Sequence, residues 1–186
     1  MLFGKRLKQG LQRTRKKKLE KDVNMKQKIK FGTPQEWIDW YEQKTGDTFT
    51  VPEGHTINYH ERRGIITFKP DLKSGMLIVM YVIGDGKFWH DVAEMIAKQN
   101  GFRCVATICT RNVDAYIRFW DYKVVKEWKN KEGQRRFLTI DPFGRYATLT
   151  YRGIDERTGK DTYWVIQYLV PGERPNLDDL EKEGET

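Results

Sequence analysis

The feature that most limits what this chain can become lies between residues 75 and 110. GMLIVMYVI (75–83) is apolar on both parities, which a strand tolerates when both of its faces are covered. It runs through GDGK (84–87) into a stretch where Phe88, Val92, Met95 and Ile96 recur at i, i+4, i+7 and i+8, the apolar stripe of a helix. Asn100 and Gly101 stop that helix, and FRCVATICT (102–110) reads as the next strand. A covered central strand followed by a helix and another strand calls for an α+β architecture.

The flanking segments extend the pattern. QKIKF (27–31) reads as a short strand, after which Thr33 offers an N-cap, Pro34 the first helical position and Glu36 the first-turn acid. Trp37, Ile38 and Tyr41 share a helical face, and Gly46 ends it. TINYH (56–60) and IITFK (65–69) form a hairpin around Arg63 and Gly64. RNVDAYIRFWDYKVV (111–125) reads as a short amphipathic helix with an aromatic spine. EGQRRFLTI (132–140), GRYATLTYRG (144–153) and KDTYWVIQYLV (160–170) follow as antiparallel strands, the last two joined by IDERTG.

Charge divides the 186 residues differently. Residues 1–30 hold 12 Lys and Arg against Glu20 and Asp22, whereas 171–186 hold six acids against Arg174 and Lys182. With a chain total of +8, these balances of +10 and −4 leave only +2 for 31–170. The expected domains are therefore a basic arm (1–24), a folded body (25–170) and an acidic tail (171–186). The arm has no long apolar run before a cleavage site, and no segment approaches the ~20 apolar residues of a membrane span. Phe3, Leu7 and Leu11 place one apolar stripe on a basic helix, which suits nucleic acid, an anionic membrane or a partner's groove; a solvated tail is the alternative. Lys5, Arg6, Lys8, Arg13, Arg15, Lys16, Lys17 and Lys18 are its candidate contacts for nucleic acid or a partner.

Cys104 and Cys109 are an odd number of strand positions apart and cannot easily pair; they fit apolar, structural thiols in a reducing compartment. His55, His60 and His90 show no metal-ligand spacing and are expected as surface polar residues.

The order of these elements, with KIKFGTPQEW, GMLIVMYVI-GDGK-FWHDVAEMIAKQNGF and RNVDAYIRFWDYKVV in sequence, resembles the GNAT superfamily of N-acetyltransferases over about residues 25–140. The resemblance implies a mixed sheet layered between flanking helices, here with a C-terminal hairpin and a basic helical arm added. It also implies an acetyl-CoA site between splayed strands at 76–83 and 102–110. Val82, Gly84, Asp85, Gly86, Lys87, Asn112, Ala115 and Phe119 are its cofactor-site candidates: Gly84 and Gly86 would let the backbone approach the pyrophosphate at a helix N-terminus, Lys87 would add a charge, and Asn112, Ala115 and Phe119 lie on the later helix. The chain departs from the pattern in two places. GDGK is short and puts Asp85 where an anion would sit, and Phe119 stands where active members often carry a proton-donating Tyr. Glu61, His60 or Asp85 is left as a base and Tyr122 as a substitute acid, with Tyr116 nearby.

Residues 110–140 are also similar to small GNAT-like proteins of bacteriophages, associated with building the virion interior. The expectation is thus a phage-encoded protein in the host cytoplasm or the virion, not secreted, with weak or no catalysis. It would act in virion or nucleoprotein assembly within a larger particle, its residues 1–30 on nucleic acid or other virion proteins. The alternative is an acetyl-CoA-dependent N-acetyltransferase.

Overall fold

The computed structural model describes residues 32–110, 112–156 and 158–176. The strand expected over 27–31, the basic arm over 1–24 with its eight candidate contacts, and the tail from 177 onward lie outside the described residues.

Helix α1 (Pro34–Thr45) is followed by strands β1 (Thr56–His60), β2 (Gly64–Asp71) and β3 (Met76–Gly84), then helix α2 (Gly86–Gln99) and β4 (Cys104–Cys109). Helix α3 (Val113–Phe119), β5 (Lys123–Lys129), β6 (Arg135–Ile140), β7 (Tyr146–Asp155) and β8 (Lys160–Tyr168) complete the body. The eight strands form one mixed sheet in the order β1-β2-β3-β4-β8-β7-β6-β5. Only β3 and β4 run parallel, and α2 is the crossover that a parallel pair requires. The last hairpin therefore does not hang on the sheet edge: β8 inserts beside β4, and β5 becomes the edge strand.

Local chemistry sets the helix starts. Thr33 and Glu36 form a reciprocal capping box with Pro34 inside it, and Gly46 closes α1 at φ 76. α1 packs Trp37 on Ile65 and Ile83 of one sheet face. α2 covers the other face, where Trp89, Ala93 and Ala97 press on Ile66, Leu77, Val79 and Val105. The sheet thus has helices on both sides at its β2–β3 end. The buried line of α2 lies one residue away from the stripe expected: Phe88, Val92 and Ile96 flank it and Met95 is exposed. The two alanines let the helix axis approach the strands, and the bulkier residues then wedge at its margins. α3 packs Val113 and Ile117 with Tyr122 on Phe137, Leu149, Tyr163 and Val165.

The stretch 111–125 is not a helix throughout. α3 ends at Phe119, Asp121 takes a left-handed φ of 53, and the Tyr122 amide bonds back to the Ile117 carbonyl at 3.0 Å. Burying Tyr122 beneath α3 requires that reversal, and Lys123–Val125 leave it as the start of β5. At the far end, Gly172 donates to the Gly144 carbonyl and Arg174 to the Tyr146 hydroxyl, so residues 171–176 are tied to the body.

Candidate functional site

The parallel pair provides a place where the sheet opens beside a helix start. β3 and β4 pair from Met76↔Cys104 to Val79↔Thr107 and no further. Beyond that point β3 continues to Gly84 against β2 alone, and β4 continues to Cys109 against β8. The cause lies in β3: Thr67 pairs with Tyr81 and Phe68 with Val79, so Met80 is an extra residue, a bulge that bends the strand. The bulge also reverses the alternation, sending Tyr81 and Ile83 to the α1 side and Val82, 42% exposed, to the α2 side beside the notch. The carboxyl ends of neighbouring parallel strands are where α/β sheets receive ligands.

The two helices meet at this end. The Lys87 ammonium lies 5.4 Å from the Phe119 ring centroid, and the His90 and Trp120 rings are 4.5 Å apart. The structure therefore brings Lys87 and Phe119 together, although 32 positions separate them in the chain.

The Gly84–Lys87 turn is occupied by the protein's own groups. Gly84 (φ +102) and Gly64 (φ +99) face each other across β2 and β3; a Cβ on Gly84 would fall 2.4 Å from the Arg63 carbonyl oxygen. Gly86 has nothing within 4 Å of such an atom. The Asp85 carboxylate accepts the Phe88 amide at 3.2 Å and holds the Arg63 guanidinium at 2.5 Å. Burial raises the Asp85 carboxyl pKa, but the Phe88 amide and Arg63 outweigh it, leaving the group below its usual range. The positive end of α2 is thus already neutralised by an internal anion. Arg63 also accepts the Trp89 indole N–H at its carbonyl, 2.9 Å away, fixing the β1–β2 turn to the helix start.

The remaining candidates have local partners. Asn112 caps α3 by accepting the Ala115 amide at 3.0 Å, and Phe119 is 49% exposed with its edge on Trp120. Glu61 sits exposed in the β1–β2 turn beside Arg62, and its carbonyl accepts the Trp37 indole N–H. His60 lies against Phe88. Tyr122 is buried in the core beneath α3, where burial and the charge of Asp141 push its phenol well up; burial does the same to Tyr116. Neither phenol ionises readily in such surroundings.

Sequence reasoning missed a buried polar group beneath α2. Glu94 pairs with Arg145, whose guanidinium also binds Asp141 at 2.7 Å. His90 bonds the Gln167 amide oxygen at 2.7 Å and lies 3.4 Å from Glu94, leaving its side chain only 19% exposed, so it is not a surface histidine. One signal lay in the sequence: in TYWVIQYLV, Gln167 falls on the same parity as Tyr163, Val165 and Leu169, an inward polar position. The group joins α2 to the β6–β7 turn and to β8, with Arg145 between two carboxylates and Lys98 on Glu94 from the solvent side.

Among the described residues no set of three or more His, Cys, Asp or Glu is arranged to hold a metal ion, and no helix is long and apolar enough to cross a membrane. Comparison with protein-family models, with curated proteins and with solved structures gives no match to this chain.

Proposed function

We propose that the chain is a GNAT-like, phage-type assembly protein with weak or no catalysis, whose basic N-terminal arm contacts nucleic acid or a partner protein. The GNAT-like part of this reading is supported by the element order through α3, by helices on both faces at β2–β3, and by the parting of β3 and β4. The observation that carries the non-catalytic part is Asp85. Its carboxylate takes the Phe88 amide and Arg63, the donors that a pyrophosphate at this helix end would need. A phosphate brought there meets a negative charge and must displace an internal ion pair.

Calorimetry of the full chain against acetyl-CoA tests this; no heat of binding at millimolar ligand is expected, and a micromolar complex would overturn it. For the arm, Lys16→Gln/Lys17→Gln/Lys18→Gln in the full chain should weaken binding to DNA and flatten its salt dependence, by about 0.9 in log–log slope for each duplex phosphate no longer neutralised. Unchanged slope and affinity would remove nucleic acid as the arm's partner.

One observation favours the alternative, an acetyl-CoA-dependent N-acetyltransferase: the notch between β3 and β4 remains, with the exposed Val82 beside it and Lys87 at its rim. In that reading Asp85→Asn should raise acetyl-CoA affinity by removing the competing charge.

A further inference from the structure

The β5–β6 hairpin differs from the rest of the sheet. Residues 123–136, KVVKEWKNKEGQRR, hold six cations against Glu127 and Glu132, a balance of +4. Since 31–170 as a whole carries +2, the rest of that span carries −2 and its positive charge is concentrated here. The hairpin also leaves the sheet. β6 pairs with β7 only from Phe137 to Ile140, whereas β5 and β6 pair with each other out to Lys129↔Arg135. Its outer part is a two-stranded ribbon, and every β5 residue except Trp128 is exposed. Arg135 anchors it, bonded to Asp114 of α3 at 3.1 Å and to Glu127 at 2.7 Å.

A register shift between Val124 and Lys126 decides which side chains share a face. Val124 pairs with Thr139 and Lys126 with Leu138, so Val125 is a bulge. Without it Lys123 and Lys126 would point to opposite faces; with it Lys123, Lys126 and Trp128 fall on one, opposite Ile140, Leu138 and Arg136. The Lys126 ammonium lies 5.5 Å from the Trp128 ring centroid. The Trp128 indole N–H is shielded and meets no acceptor among the described residues.

We infer that this ribbon is a binding surface for single-stranded nucleic acid, separate from the basic arm. Lysines along a strand edge follow a phosphate backbone, and an indole among them offers a stacking face for a base, which an acidic peptide does not use. The exposed Lys123 and Lys126 and the half-buried Trp128 ring share one face of the narrow ribbon, where an unpaired strand meets them together.

The test is fluorescence anisotropy of the full chain with labelled oligo(dT) and with a duplex of equal length, between about 50 and 200 mM salt. Lys123→Gln/Lys126→Gln/Lys129→Gln should weaken oligo(dT) binding at least tenfold and flatten the salt slope by about 1.4, at ~0.7 for each of the two lysines on the Trp128 face. Trp128→Leu should lower oligo(dT) affinity by about 5- to 100-fold through the missing stacking face while leaving the duplex unaffected. Polyglutamate should not compete. Oligo(dT) binding by the triple variant within twofold of wild type overturns the inference, as does equal competition by polyglutamate or equal weakening of oligo(dT) and duplex in Trp128→Leu. The arm variant Lys16→Gln/Lys17→Gln/Lys18→Gln, measured in parallel, reports on the arm alone, so the two surfaces fail separately. Circular dichroism and thermal melts confirm folding; the three lysines are exposed, and Trp128→Leu keeps an apolar side chain in the strand.

Discussion

Replacing Gly84 by alanine sets a Cβ 2.4 Å from the Arg63 carbonyl oxygen, about 1 Å inside ordinary contact, on a backbone with φ +102. The conformation alone costs about 1–3 kcal/mol for a residue with a side chain. Relieving the overlap means separating β2 from β3 at the Gly64↔Gly84 pair. That loosens the bonds from the Asp85 amide and the Trp89 indole, both 2.9 Å from the Arg63 oxygen, at about 1 kcal/mol each. The expected loss is about 3–5 kcal/mol, a large part of a typical native stability of about 5–15 kcal/mol. At roughly 2–4 °C per kcal/mol for a chain of this size, the melting temperature should fall by about 6–20 °C. Gly86→Ala is the control: an added Cβ meets nothing within 4 Å at the first turn of α2, so stability should stay within about 0.5 kcal/mol or rise. Urea titrations followed by tryptophan fluorescence measure both. A Gly84→Ala loss below about 1 kcal/mol, or a Gly86→Ala loss exceeding it, would refute the assignment of Gly84 to strand packing. The same pair bears on function: if a phosphate used the Gly86 backbone, Gly86→Ala would weaken acetyl-CoA binding while leaving the melting curve in place.

Three further outcomes follow from the buried and paired charges. Arg145→Met leaves the buried Asp141 carboxylate without its cation and Glu94 with only the half-exposed Lys98, and should cost about 3–5 kcal/mol in urea unfolding; Glu94→Gln, which keeps a hydrogen-bonding group, should cost less. Asp114, held down chiefly by its bond to Arg135, and Asp85 both have carboxyl pKa values below the ordinary range. A lowered folded pKa stabilises above the unfolded value near 3.9 and that contribution is lost as pH falls through the folded one, so wild-type stability should decline below about pH 4. Asp85→Asn/Asp114→Asn should flatten that decline, with a small effect per group because both are largely solvent-screened. Burial, with the nearby Glu173 charge, pushes the Cys104 thiol up to about 11, so its labelling by a disulfide reagent at pH 8 should be slow in the native protein and fast in urea.

Much of the element order was legible because it rests on local chemistry. Thr33, Pro34 and Glu36 announce a helix start that depends only on neighbours three residues apart, and the capping box is present. The run 75–83, apolar on both parities, gave no hint of the Met80 bulge, which moves Val82 and Ile83 to the faces opposite those a regular strand would give them. No residue type in MLIVMYVI marks a bulge. The break in 111–125 was hidden likewise: helical periodicity runs on through Trp120, and the reversal at Asp121 exists because Tyr122 has a core to enter.

Among the candidate site residues, Gly84, Asp85, Gly86 and Lys87 stand out in the sequence as a strand-to-helix turn, with no sign there of whether the glycines serve a ligand or the chain. What Gly84 faces became visible only in the folded chain, because Arg63 and Gly64 reach it through β2 rather than along the backbone. Helix starts and the accumulation of charge are written in the residues themselves, since capping and composition are short-range properties. Sheet order, the parting of β3 from β4, the Glu94–Arg145–Asp141 group and the single face of Lys123, Lys126 and Trp128 depend on register between distant strands. Register is set by how whole faces pack, and a one-residue slip inverts every side chain beyond it.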